Sequence, residues 1–153
     1  MGIYPYMQGV ESPDFVGCLV GNLRAAARVA TRVYDSALRD TGVRITQVAI
    51  LAQVRKSQPV TVSVLAAELA SERSAVARDL AILERSGLVS TSVKADDRRA
   101  RQIRLTSEGE QRLLECAPAW RSAQQAMGDA LGQDRVRDLV ELANELVAAV
   151  GEV

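Results

Sequence analysis

The chain has 153 residues, about one domain's worth, which excludes an enzyme built from two large lobes around a cleft. Apolar residues make up 48% and charged residues 25%, which excludes a wholly disordered chain or a membrane channel. Histidine is absent altogether, removing Ser-His-Asp and Cys-His catalysis, His-ligated zinc and imidazole proton shuttles in one step.

Net charge is zero, from 19 basic and 19 acidic residues, and every basic residue except Lys56 and Lys94 is arginine. Arginine favours planar, bidentate contact with carboxylate or phosphate. Residues 73–105 carry 8 basic and 4 acidic groups, whereas 113–153 carry 3 and 7. A basic centre inside a neutral chain is the pattern of a local anion-binding surface. Cys18 and Cys116 lack CxxC spacing, so neither a disulfide framework nor a thiolate metal site is indicated. No metal or cofactor is expected, and a reducing, cytoplasmic location fits. No apolar run approaches the roughly 18 residues of a membrane span.

In chain order, Ser12-Pro13-Asp14 supplies a cap, a first-turn proline and an acidic residue suited to a helix start. Phe15, Leu19, Leu23, Ala26, Ala30, Val33 and Ala37 then recur three or four apart, predicting a long helix that stops near Gly42. Thr46 is expected to cap a second helix to about Lys56, bounded by Pro59. Thr61 caps a third, Val62 to Leu69. Ser71 or Glu72 starts a fourth, with Val76, Leu80 and Leu83 buried and Gly87 at its end. Alternation replaces helical spacing at Val89, Thr91 and Val93 and again at Ile103 and Leu105, predicting a hairpin with the charged tip Ala95 to Ala100. Thr106 caps a long helix toward Leu131, with Pro118 expected to kink it. Asp134 caps a last helix striped by Val136, Leu139, Val140, Ala143, Leu146, Val147 and Val150.

Two short helices joined by Ala70-Ser71 and followed by a hairpin make a winged helix-turn-helix. The second short helix would turn its leading residues Arg73, Ser74, Ala75 and Arg78 to base edges of the major groove, with its positive end toward phosphate. The hairpin tip, Asp96-Asp97-Arg98-Arg99-Ala100-Arg101, suits the concentrated negative potential of a narrow minor groove. For all these arginines the plainer alternative is solvated surface charge, with Glu84 and the neighbourhood of Asp79 as possible helix partners.

The runs Leu65-Ala66-Ala67-Glu68-Leu69, Arg73-Ser74-Ala75-Val76-Ala77-Arg78, Leu83-Glu84-Arg85-Ser86-Gly87-Leu88-Val89, Asp97-Arg98-Arg99 and Leu105-Thr106-Ser107-Glu108-Gly109 resemble the MarR family of bacterial winged-helix transcription regulators. The resemblance extends from about Phe15 to the end. It implies a mainly α fold with a small β-hairpin wing, dimerisation helices from both termini, and a homodimer on a pseudo-palindromic DNA operator. It also implies that Asp97 orients Arg99 into the minor groove while Arg73, Ser74 and Arg78 serve the major groove. Ala75 and Ala77 stand where the family often has threonine, and Asp79 directly follows Arg78 on what reads as the DNA-facing side.

The expected organisation is 1–45, arm and first dimerisation helix; 46–106, winged lobe; and 107–153, C-terminal dimerisation helices. The expected function is a cytoplasmic, DNA-binding repressor released by a small organic effector, with no membrane partner. Arg24, Arg28, Tyr34 and Trp120 are effector candidates. Plainer uses are pairing of Arg24, Arg28 and Arg32 with acidic Asp138, Glu141 and Glu145, and packing of the two rings. Cys18 is a candidate oxidation sensor, against the alternative of an inert thiol buried in an apolar stretch. The rival classes are a winged-helix protein-interaction module and, behind it, an enzyme using carboxylate or cysteine chemistry.

Overall fold

The computed structural model describes residues 17–94 and 97–150, without the side chains of residues 94 and 97–100. The elements are α1 (Leu19–Ala37), a 3-10 turn (Arg39–Thr41), α2 (Ile45–Ser57), α3 (Val62–Glu68), α4 (Arg73–Arg85), β1 (Val89–Lys94), β2 (Asp97–Leu105), α5 (Ser107–Leu131) and α6 (Gln133–Val150). This is the expected mainly α architecture with one antiparallel hairpin. Among the described residues, no helix is long and apolar enough to cross a membrane.

Several helix starts differ from the sequence reading. The Ser12 cap lies outside the described residues, and the described part of α1 begins after Cys18, whose side chain makes no capping bond. Helix α2 begins before Thr46, because the Asp35 carboxylate of α1 accepts the Ile45 amide at 2.8 Å and Gln47 Oε1 accepts the Arg44 amide at 3.0 Å. Asp134 lies inside the first turn of α6 rather than at its cap. Helix α5 runs unbroken through Pro118. Thr61 and Thr106 cap as expected, their hydroxyls accepting the amides of Val64 at 3.4 Å and Gly109 at 3.0 Å.

The core is concentrated in the middle of the chain. Leu51 and Val54 of α2, Leu65 of α3, Leu83 of α4, Leu88, and Ile103 of β2 are almost completely buried, joined by Leu38 from the α1–α2 corner and Cys116 from α5. Helices α1 and α6 contain no buried residue. At the base of α5, Thr106 also donates its hydroxyl to the Gly87 carbonyl at 2.6 Å. A β-carbon at Gly109 would collide with the Leu88 carbonyl oxygen, so the Leu-Thr-x-x-Gly run is the joint that seats α5 against the end of α4. Arg112, one turn further on, donates to the Thr41 carbonyl at 2.7 Å and pairs with Glu115 at 3.1 Å. Helix α5 thereby holds the corner at which α1 enters the lobe.

Candidate nucleic-acid interface

Helix α3 ends in a tight turn because Ala70 takes a left-handed conformation (φ 46°), an uncommon choice for a residue with a β-carbon. Its amide donates to the Ala67 carbonyl at 3.1 Å, and the Ser71 amide to that of Ala66 at 2.9 Å. These bonds satisfy the last carbonyls of α3 and release the chain directly into α4. The first turn of α4 is closed by Ala75 and Val76, whose amides donate to the Glu72 carbonyl at 3.0 and 3.1 Å. Glu72 provides no side-chain cap, so the positive end of the helix is left for an outside acceptor.

Burial decides which face of α4 turns outward. Val76, Leu80 and Leu83 sit in the core, leaving Arg73, Ser74, Ala77 and Arg78 exposed. Ala75 is only half-exposed, between the two faces, and is less available to a groove than the sequence reading placed it. Asp79 is also corrected. It is half-buried, and the side-chain amide of buried Gln47 approaches it at 3.5 Å, so it faces α2 rather than the surface carrying Arg78. Glu84 accepts a hydrogen bond from the Thr91 hydroxyl. Among the described residues, ion pairs involve neither Arg73 nor Arg78.

The wing pairs Val89 with Leu105, Ser90 with Arg104, Thr91 with Ile103, Ser92 with Gln102 and Val93 with Arg101. The register shifts before Lys94 pairs with Asp97. Strand β2 therefore begins at Asp97, inside the segment that reads from sequence as the tip. Arg101 and Arg104 are exposed. The side chains of Asp97, Arg98 and Arg99 lie outside the described residues, and only their place in β2 is given.

Two ties that sequence reasoning missed anchor this hairpin. Val60 and Ile103 exchange backbone hydrogen bonds at 3.2 and 2.7 Å, and Gln58 Oε1 accepts the Leu105 amide at 2.8 Å. One bridge after Pro59 is too short to leave an alternating pattern, and its only trace is the β-branched pair Val60-Thr61.

The effector and redox candidates are not brought together. Trp120 lines a groove between α5 and α6, while Arg24 and Arg28 lie exposed along α1. Tyr34 is half-buried, and loss of water pushes its hydroxyl pKa up. Cys18 is exposed, contrary to the buried-thiol alternative. Cys116 is the buried cysteine, and burial pushes its thiol up, opposed by the Thr41 side chain and Arg112. Among the described residues, no cluster of His, Cys, Asp or Glu could hold a metal.

The MarR family model matches residues 43–100. The crystal structure of the transcriptional regulator MosR from M. tuberculosis in complex with DNA is 36% identical, with 87% of this chain and 98% of that one covered and a TM-score of 0.73. This chain belongs to the MarR family. Family members are transcriptional regulators, not enzymes. A mutant MarR from E. coli complexed with operator DNA shares the fold at 21% identity, covering 89% of this chain and 99% of that one, with a TM-score of 0.77. The repressor CouR bound to a 23-mer duplex shares it at 17% identity, covering 90% and 98%, TM-score 0.77. Comparison with curated proteins gave no match. The family match spans the lobe of this MarR-family chain from the α1–α2 corner into the wing, and includes α4 with its exposed Arg73 and Arg78.

Proposed function

We propose that this MarR-family chain is a homodimeric, sequence-specific regulator of transcription that binds duplex DNA and acts as a repressor. The observation that carries the reading is the outward face of α4. Arg73, Ser74 and Arg78 are exposed beside an uncapped helix start, while Asp79 is turned toward Gln47. The guanidinium groups are suited to guanine edges or phosphate, and the Ser74 hydroxyl to either. Strand β2 supplies Arg98, Arg99 and Arg101 for the neighbouring minor groove, with Asp97 to steady Arg99. That the 36% identical MosR forms a complex with DNA supports DNA as the partner.

The division into 1–45, 46–106 and 107–153 follows from the same reading, the central segment holding most of the core and the outer two the surfaces between copies. Release by a small molecule has a route. A cavity of about 490 Å³ is lined by Asp35, Arg39 and Arg44 at the α1–α2 corner, by Gln47, and by Asp79 and Ile82 of α4. A ligand seated there bears directly on the recognition helix. Half-site recognition needs the two α4 helices about 34 Å apart, so a small rotation of one lobe is enough to lose a half-site.

The test is selection of duplex oligonucleotides on the purified protein, followed by titrations at several salt concentrations. Arg73→Ala or Arg78→Ala is expected to weaken the selected site by about 1–3 kcal/mol and to relax preference at single base positions. Arg99→Ala is expected to weaken binding and reduce its salt dependence. Binding indifferent to all three substitutions overturns the reading.

A further inference from the structure

Arg24, Arg28 and Arg32 succeed one another at four-residue steps along α1, and all three are exposed. Like charges so spaced repel one another. Among the described residues the ion pairs are Arg55–Glu110, Arg112–Glu108, Arg112–Glu115 and Arg137–Asp134, and none relieves this row. Helix α6 shows the converse arrangement. Asp138, Glu141 and Glu145 lie exposed at steps of three and four residues, while Arg137 of the same helix is taken by Asp134 at 3.0 Å. At a rise of 1.5 Å per residue the basic row spans about 12 Å and the acidic row about 10.5 Å.

The two rows do not meet within one chain. Helices α1 and α6 each pack on α5, and no comparable interface joins α1 to α6. Both rows accompany apolar surface that the chain leaves bare: Leu19, Val20 and Val29 on α1, and Leu139, Leu142 and Val147 on α6 are exposed. A groove of about 510 Å³ between α5 and α6, with Trp120, Val136 and Val140 in its walls, opens beside this surface.

We infer that, across the dimer proposed above, Arg24, Arg28 and Arg32 of one copy are set against Asp138, Glu141 and Glu145 of the other. The inference rests on the dimer reading above and names the charges that hold its register. A two-fold axis repeats every contact, so one basic and one acidic row per chain give two complementary ladders and leave neither row unmatched. Rows of matching length and opposite sign, separated within the chain, favour a second copy over an unrelated anion as the occupant of α1.

The test is sedimentation equilibrium of the full chain. The triple variant R24E/R28E/R32E has acidic rows on both helices, and D138R/E141R/E145R has basic rows on both. Each alone is expected to self-associate about 10- to 100-fold more weakly than the wild type. Mixed in equal amounts, the two recover near-native affinity as a heterodimer, because every acidic row then meets a basic one. Wild-type affinity in both variants, or a mixture that associates no better than its components, overturns the ladder while the dimer stands. A wild-type chain that sediments as a monomer overturns the dimer reading itself. The single change Arg28→Glu, at an exposed position that perturbs folding little, is expected to reduce the salt dependence of dimerisation; an unchanged dependence counts against the ladder.

Discussion

The winged lobe and the terminal helices solve the burial problem in opposite ways. The lobe closes a core on itself, with Leu51, Leu65, Leu83 and Ile103 at 1% exposure or less. Helices α1 and α6 bury nothing completely, and Leu142 remains 62% exposed. An amphipathic helix with its apolar stripe uncovered is stable only when something packs on that stripe. The contrast teaches that the winged lobe is held by its own packing, whereas α1 and α6 leave apolar surface that the proposed dimer would cover.

Leucine truncation in the two regions is the sharpest way to break this comparison. Leu51→Ala is expected to cost about 2–5 kcal/mol, from lost transfer energy and the cavity left behind, with a urea midpoint shift independent of protein concentration. Leu142→Ala is expected to leave the lobe's transition in place and to act through a concentration-dependent step. A concentration-independent loss at Leu142 would show that the arms are stabilised within one chain.

A smaller effect is expected at the joint between the regions. Thr106→Ala removes the cap on Gly109 and the bond to the Gly87 carbonyl and is expected to cost about 1 kcal/mol, measured by thermal or urea denaturation. A neutral result would mean that packing of Gly109 under Leu88 alone seats α5.

The smallest perturbation is chemical labelling of the two thiols. Cys18 is exposed on an arm, whereas Cys116 is buried with its thiol pKa raised. A thiol reagent at neutral pH is expected to modify Cys18 about tenfold faster or more, because only the accessible thiolate reacts. Equal rates would place Cys116 in a region that opens readily. If peroxide treatment leaves DNA affinity unchanged, Cys18 has no sensing role.

Features that depend on neighbours in the chain were legible before any coordinates. The stripe Val76, Leu80 and Leu83 is a property of helical spacing, the Thr61 and Thr106 caps reach three residues forward, and the change to alternation at Val89 marks the wing. The outward direction of Arg73 and Arg78 follows from that stripe. Misreadings arose where a distant residue intervened. Thr46 looked like a cap because its competitor, Asp35, belongs to another helix, and Asp79 looked outward because Gln47 lies in α2.

The amino-acid order by itself therefore determined the kinds of element, their sequence along the chain and the concentration of arginine in the lobe, since these follow from local spacing and capping. Only the tertiary structure decided that Asp79 turns inward, that Val60 and Gln58 tie down the hairpin, and that α1 and α6 keep their charged rows apart within one chain. Those outcomes depend on which distant groups come within hydrogen-bond or van der Waals reach once the core closes.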